Sequence, residues 1–501
     1  MPETLEQPQS ELIAGADLTR TLNALFVNAP LRDYAERPRA NDFTLPVLGM
    51  GYLATYATSR GFNVGVLDAE AHGLSIDHTI RIINDLAPQW AGFNLLAPTY
   101  EISARIAASL DPDIKIMAGG HQAKAMPTEI LTDARMARCA ALVLGEGETR
   151  VAELLADHRV RADLPGVMWL DPILKTPVTG GTPGNSHHLA PDIDTLPFVD
   201  RHFLAQDPHF EAGRWEANMV GARGCPYNCS FCGAAVSANP DISIRTRDPH
   251  NILAEMHQLK DAGVTAFRFV DDLFLGARRV IEHMMSTFTA EHVGDWAAWD
   301  ATGRINVLHR ASNATLDTLA DNGLREVALG IESGSERMLT LIDKRIDPGM
   351  THTVVRRLTE RGINVKGYVI LGFPTETEDE IDTTVHLIRN LWELTDPLPG
   401  QFRASAFEYR PYPGTPDWHR LMATGRYTAD QLLNYTAVDL TDAGVDESMR
   451  ERDEFNFSVN LQLSDAPIDY VRTNLVALSR EQYARKATED PLAGLSAGGA
   501  A

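Results

Sequence analysis

The stretch GARGCPYNCSFCGAA, residues 221–235, puts three cysteines into eight residues of a chain that has one other, Cys139. It follows the apolar run ANMV and is bent by Gly224 and Pro226, so it reads as a loop leaving the end of a strand. Thiolates spaced four and then three residues apart, Cys225, Cys229 and Cys232, can converge on one small inorganic centre. Structural zinc wants four ligands, usually as two pairs, and no second pair exists; zinc stays the alternative at this point. Cys139 reads as a small buried hydrophobe. Three cysteines suit a four-iron four-sulfur (4Fe-4S) cubane that keeps one iron open to a non-protein ligand.

Downstream of the loop, strand patterns alternate with helical ones. The strands are ANMVGAR (217–223), TAFRFVDD (265–272), AAWDATGR (297–304), EVALGIES (326–333), VKGYVILGF (365–373) and ASAFEYRPY (404–412). Helices such as NILAEMHQLKDAG lie between them. Six such units predict a parallel sheet curled into a partial (β/α)6, TIM-like barrel with its working face at the strand carboxyl ends.

Upstream, NALFVNAP, NVGVLDAE, WAGFNLLA, IKIMAGG and AALVLGEGE alternate with helix-like LGMGYLATYATSR, IDHTIRIINDLA and YEISARIAASL. This predicts a doubly wound, Rossmann-like α/β domain, whose ligand crevice lies beyond the strand carboxyl ends. Those ends carry Asp68 with Gly73, Thr99 within APTY, Gly119-Gly120-His121, and Gly145 and Gly147 within GEGE. Each glycine alone reads equally as a tight turn; the four loops together point to a ligand.

The expected organisation is a doubly wound domain at 1–160, a Pro/Gly-rich linker or small subdomain with a hairpin at 161–215, the barrel at 216–420, a helical region at 421–485 and a disordered tail at 486–501. His187-His188 reads as solvated loop, because adjacent residues on an extended strand face opposite ways. The net charge of −23 repels phosphate backbones and counts against nucleic acid. No apolar stretch approaches roughly 18 residues, the first residues lack a signal-peptide pattern, and four cysteines make no disulfide framework. A cytoplasmic protein is expected, with no membrane partner.

CxxxCxxC directly after the first strand of a six-unit barrel, with Phe231 just before the third cysteine, resembles the radical S-adenosylmethionine superfamily. The resemblance implies a 4Fe-4S cluster on Cys225, Cys229 and Cys232. The amino and carboxylate groups of S-adenosylmethionine chelate the open iron, and one electron cleaves the sulfonium to methionine and a 5′-deoxyadenosyl radical. An external one-electron reductant of flavodoxin or ferredoxin type is implied. Asp271 and Asp272 stand where the family often has a GGE-like run on the methionyl amine. Arg304 and Glu332 stand where it binds ribose and carboxylate, with an ion pair between them as the alternative. GYVILGFP, with Gly372, resembles the stretch lining the adenine.

The first domain, with GGH and GEGE, and PYPGTP at 411–416 resemble the cobalamin-dependent subgroup. Asp68, Thr99, Gly119, Gly120, His121, Gly145 and Gly147 are the implied cobalamin contacts. Proteins that ligate cobalt through histidine carry DxHxxG; here the loop reads DAEAHG, so His72 is not expected on cobalt, and the subgroup commonly lacks that histidine. The resemblance implies a methyltransferase acting on a small secondary metabolite such as an antibiotic scaffold. A non-methylating dehydratase, dehydrogenase or epimerase acting on a sugar or aminoglycoside, with a vestigial cobalamin domain, is the alternative. For it, Asp272 or Glu408 would be the base. Glu408, Tyr409 and Arg410 end the sixth strand as candidate catalytic residues, against a reading as rim packing. An electron carrier or cobalamin sensor is the non-enzymatic alternative, which the open iron argues against.

Overall fold

In the computed structural model, two β-sheets organise two compact units: the first runs to Asp207 and takes in Tyr412–Gly414 from later in the chain, and the second is built from Pro208 onward. The structure describes residues 9–36, 45–181, 190–211, 213–235, 244–437 and 457–488. His187-His188, the acidic stretch 439–455 and residues 489–501 of the tail lie outside the described residues.

The first sheet contains β1 (Ile13–Ala14), β2 (Ala24–Asn28), β3 (Val64–Asp68), β4 (Trp90–Asn94), β5 (Lys115–Gly119), β6 (Cys139–Val143), β7 (Val167–Leu170) and β8 (Pro177–Thr179). Its order is β1-β3-β2-β4-β5-β6-β7-β8, parallel from β3 to β6. Alternate residues feed two cores. Leu25 and Val27 join Leu67, Ile82 and Ile106 on one face, while Ala24 and Phe26 join Met50, Val66 and Leu154 on the other. Burial on both faces explains the near-continuous apolar runs. The chain order reverses between β2 and β4, which opens a crevice beyond Asn28 and Asn94. The antiparallel additions were not foreseen as parts of this sheet: β1 lies along β3, and the β7–β8 hairpin extends it from β6.

The second sheet contains β9 (His209–Glu211), β10 (Arg214–Met219), β13 (Val264–Phe269), β14 (Ala298–Gly303), β15 (Leu324–Glu332), β16 (Asn364–Leu371) and β17 (Phe402–Glu408). Between β10 and β13 a short ribbon, β11 (Ala222–Arg223) with β12 (Arg245–Thr246), brackets the cysteine loop. The six strands from β10 to β17 are parallel in chain order, and β9 adds antiparallel to β10. Register brings Met219 beside Phe269, Glu332 beside Val369 and Leu371 beside Glu408, so the carboxyl ends form one rim. The helix Ile468–Thr488 lies against β17, where Gln482 Oε1 accepts from Ala404 N at 2.8 Å and from Trp392 Nε1 at 3.1 Å. Among the described residues no helix is long and apolar enough to cross a membrane.

Candidate active site

The cysteine loop leaves β10 at the barrel rim. Cys229 is buried, and Cys225 and Cys232 are half-buried. Cys232 N donates to Cys229 O and Ala235 N to Cys232 O, both at 3.1 Å, which folds the loop into successive tight turns. Burial raises the Cys225 thiol and pushes Cys232 up to about 12. The Cys229 thiol and the exposed Asp272 carboxylate act on both in the same direction, so these groups share one neighbourhood. Among the described residues no three His, Cys, Asp or Glu side chains converge tightly enough to hold a single ion. A cubane is larger than an ion, and an all-sulfur donor set suits iron–sulfur chemistry.

A turn at residues 342–345, missed by sequence reasoning, clamps this loop. Ser230 N donates to Ile342 O at 3.0 Å, Cys229 Sγ lies 3.9 Å from Asp343 O, and Arg304 Nη2 donates to Lys344 O at 2.6 Å. Arg304 also reaches Cys229 Sγ at 3.5 Å, and its guanidinium lies 3.5 Å from the centre of the Tyr227 ring. The expected alternative of an Arg304–Glu332 pair is not formed: Glu332 Oε1 instead holds Lys344 Nζ at 2.5 Å. Glu332, Asp343 and Arg345 all have left-handed backbone, φ of 64°, 50° and 58°. Non-glycine residues in that region cost on the order of 1–3 kcal/mol each and concentrate at functional sites.

Asp271 is buried and accepts from the backbone N–H of Gly221 at 2.9 Å, and burial pushes its carboxyl up to about 8. It holds the start of the cysteine loop, whereas Asp272 bears on the thiols. Phe231 meets Phe373 edge-on at 5.4 Å, and Phe373 meets Tyr409 at 5.2 Å. Gly372 needs its φ of 87° to turn the chain after β16. Glu376, also missed, is buried and accepts from Gly372 N at 2.6 Å and Phe373 N at 3.1 Å. Tyr409 is buried, its hydroxyl has no hydrogen-bond partner among the described residues, and desolvation lifts its pKa well above the ordinary value. The Glu408 carboxylate is engaged by Ser458 and by Arg472 Nε at 3.0 Å. These contacts tie Glu408 at the end of β17 to the later part of the second unit.

The glycine-bearing loops of the first unit follow the carboxyl ends of its strands. Asp68 accepts from Asn28 Nδ2 at 2.8 Å and Ala71 N at 3.0 Å. Glu70, standing where DxHxxG has histidine, accepts from Leu31 N at 2.8 Å and Tyr34 Oη at 2.5 Å. Thr99 closes the short turn Ala97–Thr99 after β4. Gly119 ends β5. Gly120, at φ 97°, lets the chain pass so close to β4 that an added Cβ would stand 2.7 Å from Leu95 O. The exposed His121 begins the helix His121–Ala125. After β6, Gly145 has φ 85° and Gly147 starts the helix Glu148–Ala156. Buried Arg150 donates to Leu144 O at 2.8 Å and to Glu146 O, which fixes this loop.

A doubly wound sheet with a glycine-lined carboxyl edge, joined to a parallel partial barrel whose first strand feeds a three-thiol loop, defines an enzyme with two cofactor-binding units. The Radical SAM superfamily model matches residues 219–388 and the B12 binding domain model matches residues 41–155. The two matches give the chain a radical S-adenosylmethionine domain over residues 219–388 and a cobalamin-binding domain over residues 41–155, the pairing of the cobalamin-dependent subgroup. The protein is a radical enzyme whose cofactors are a 4Fe-4S cluster, S-adenosylmethionine and cobalamin. An uncharacterised methyltransferase of Pyrococcus horikoshii is 26% identical over 79% of this chain and 83% of its own. Cytidylyl-2-hydroxyethylphosphonate methyltransferase of Streptomyces wedmorensis is 26% identical over 65% of this chain and 69% of its own. The fold is similar to that of the radical S-adenosylmethionine methyltransferase TsrM of Kitasatospora setae, solved with cobalamin and a 4Fe-4S cluster bound. The TM-score is 0.66 at 17% identity, covering 91% of this chain and 90% of that one.

Proposed function

We propose that the enzyme transfers a methyl group to a small secondary metabolite of the antibiotic-scaffold class. The observation that carries this reading is that both cofactor units are present together and that the methyltransferases named above match across most of the chain. When bound, the cluster supplies the electron that cleaves S-adenosylmethionine, and cobalamin supplies the methyl group. Cys225, Cys229 and Cys232 hold the cluster, and Arg304 and the Ile342–Lys344 carbonyls keep their loop in place. Phe231, Glu332 and Gly372 line S-adenosylmethionine, while Asp271 fixes the loop backbone and Asp272 faces the thiols. Asp68, Thr99, Gly119, Gly120, His121, Gly145 and Gly147 form the cobalamin edge. Glu70 is tied to Tyr34 and Leu31, so the DxHxxG frame offers cobalt no histidine. Tyr409, stacked behind Phe373, positions that aromatic wall. The reductant is a flavodoxin- or ferredoxin-type carrier in the reducing cytoplasm.

Anaerobic reconstitution with iron, sulfide and hydroxocobalamin tests the reading. The expected result is bound corrin together with S-adenosylhomocysteine and 5′-deoxyadenosine once a true substrate is supplied. Absence of corrin, with 5′-deoxyadenosine as the sole product, would exclude methyl transfer in favour of a dehydratase-type reaction. Cys229→Ala is expected to abolish both the brown cluster absorbance and cleavage of S-adenosylmethionine; a variant retaining both would refute the cluster assignment.

A further inference from the structure

The barrel of the second unit has a charged floor and, above it, an aromatic chamber. Trp299 meets Phe269 and, from the helix Arg278–Ala290, Phe288, so the alternate residues Arg268 and Asp300 point into the barrel. Six side chains tie the floor together. Arg403 donates to Glu326 at 2.8 and 2.9 Å, Arg268 Nη2 donates to Asp300 at 3.1 Å, and Arg325 bridges Asp300 and Glu216. Each of the three carboxylates thus has a guanidinium partner. Lys366 joins them from β16, set by register beside Ala328 and Arg403 and only 3% exposed. Burial would raise the Glu326 carboxyl, yet Arg403, Arg268 and Lys366 together hold it well below its ordinary range. Four cations therefore share this layer with three carboxylates.

Toward the strand carboxyl ends the lining changes. Lys366 Nζ lies 5.0 Å from the centre of the Tyr368 ring, and that ring lies 6.2 Å from Phe407 with the planes tilted by 35°. Tyr368, Ile370 and Phe407 share the inward face with Lys366, yet they are half-buried, and Val270 at the mouth is 40% exposed. Inward side chains keep such exposure where the lumen is open. Apolar and aromatic walls with a charged group at the base are what a small-molecule pocket requires. Lys366 stands at the junction, since its ammonium belongs to the positive floor and borders the chamber. An ammonium on a flexible stem is a point charge that follows an anion, and a desolvated setting strengthens that attraction. We propose that this chamber holds the methyl acceptor and that the acceptor is a planar acid, its ring against Tyr368 and Phe407 and its carboxylate on Lys366. The inference rests on the proposed reading of a small acceptor, whose chemical class it narrows.

Equilibrium dialysis of the reconstituted holoenzyme provides the test, without reductant and with S-adenosylmethionine saturating its own site. The probes are 2-naphthoate and 2-naphthamide, alike in shape and different in charge. Wild-type protein should hold the acid about tenfold more tightly, the weight of one charge-assisted hydrogen bond. Lys366→Met should bring the two probes to within about twofold of each other, and Lys366→Arg should keep most of the preference. Because the floor carboxylates keep their guanidinium partners, Lys366→Met should also retain the cluster absorbance. Tyr368→Leu should weaken both probes alike, by about fivefold for one lost ring contact. Equal affinity for the two probes, or binding of neither, would overturn the inference on wild-type protein alone, with no variant needed. An acid preference that survives Lys366→Met, or affinities untouched by Tyr368→Leu, would overturn it as well. A Lys366-dependent acid preference without any methylated product would instead remove the methyltransferase reading alone.

Discussion

Burial makes single groups at this site sensitive to pH and to one added atom. Glu376 is buried beneath the Gly372–Phe373 turn, and desolvation pushes its carboxyl from 4.5 up to about 7. Its folded pKa lies above the unfolded one, so its stabilising contribution is complete below pH 4.5 and is lost as pH rises toward 7. The loss is on the order of 3 kcal/mol at most. Glu376→Gln keeps an acceptor for both N–H groups, so its thermal midpoint should fall less than the wild type's between pH 5 and pH 7; equal slopes would refute the assignment. Gly330→Ala tests the space above β15. Its backbone is one that alanine tolerates, and the added Cβ meets only the ends of two flexible side chains. Stability should fall by on the order of 1–3 kcal/mol as the buried pair is pushed apart, while affinity for S-adenosylmethionine drops several-fold in dialysis. Unchanged affinity would contradict this. The cluster cysteines were legible because their spacing is itself the chemistry. Lys344 and Glu376 were not, because IDKR and PTETE read as solvated charge. Their burial depends on Gly330 and on the turn after β16, which no local pattern announces.

The elements show the same division. Parallel strands leave apolar runs that stand out in the sequence, so β2 to β6, β10 and β13 to β17 appear where their runs do. Short edge strands carry no such signal: β1, β8 and β9 are two or three residues long and exist because a neighbouring edge offers partners. The glycine loops were legible as turns, but which turn is sterically obligatory emerges only with the neighbours in place. Gly120 combines φ 97° with backbone of β4's outgoing chain directly against it, so neither conformation nor space admits a side chain. Gly120→Ala should destabilise the first unit by on the order of 2 kcal/mol and reduce hydroxocobalamin uptake, read by calorimetry and corrin absorbance. Gly61→Ala, equally left-handed but with nothing near its Cβ, is the control that should leave uptake intact. Equal loss in both variants would show that strain alone, rather than the β4–β5 approach, governs the site.

At the scale of the molecule, two compact units each bury a core of their own, and each binds a different cofactor set. A unit with its own core has its own cooperative transition, and a ligand raises only the transition of the unit that it binds. Calorimetry should accordingly resolve two transitions. Hydroxocobalamin at a hundred times its dissociation constant contributes about 2.7 kcal/mol, which for a unit of roughly 200 residues is a rise of about 5–10 °C. Gly120→Ala identifies which transition belongs to the first unit, because it should lower that one and leave the other in place. Hydroxocobalamin should then raise the transition that Gly120→Ala lowers. S-adenosylmethionine added to the reconstituted protein should raise the other. If hydroxocobalamin instead moved both transitions by the same amount, the units would fold as one cooperative body. Cofactor occupancy in one unit would then govern stability in the other, and a variant at Gly120 would impair S-adenosylmethionine binding as well as corrin uptake.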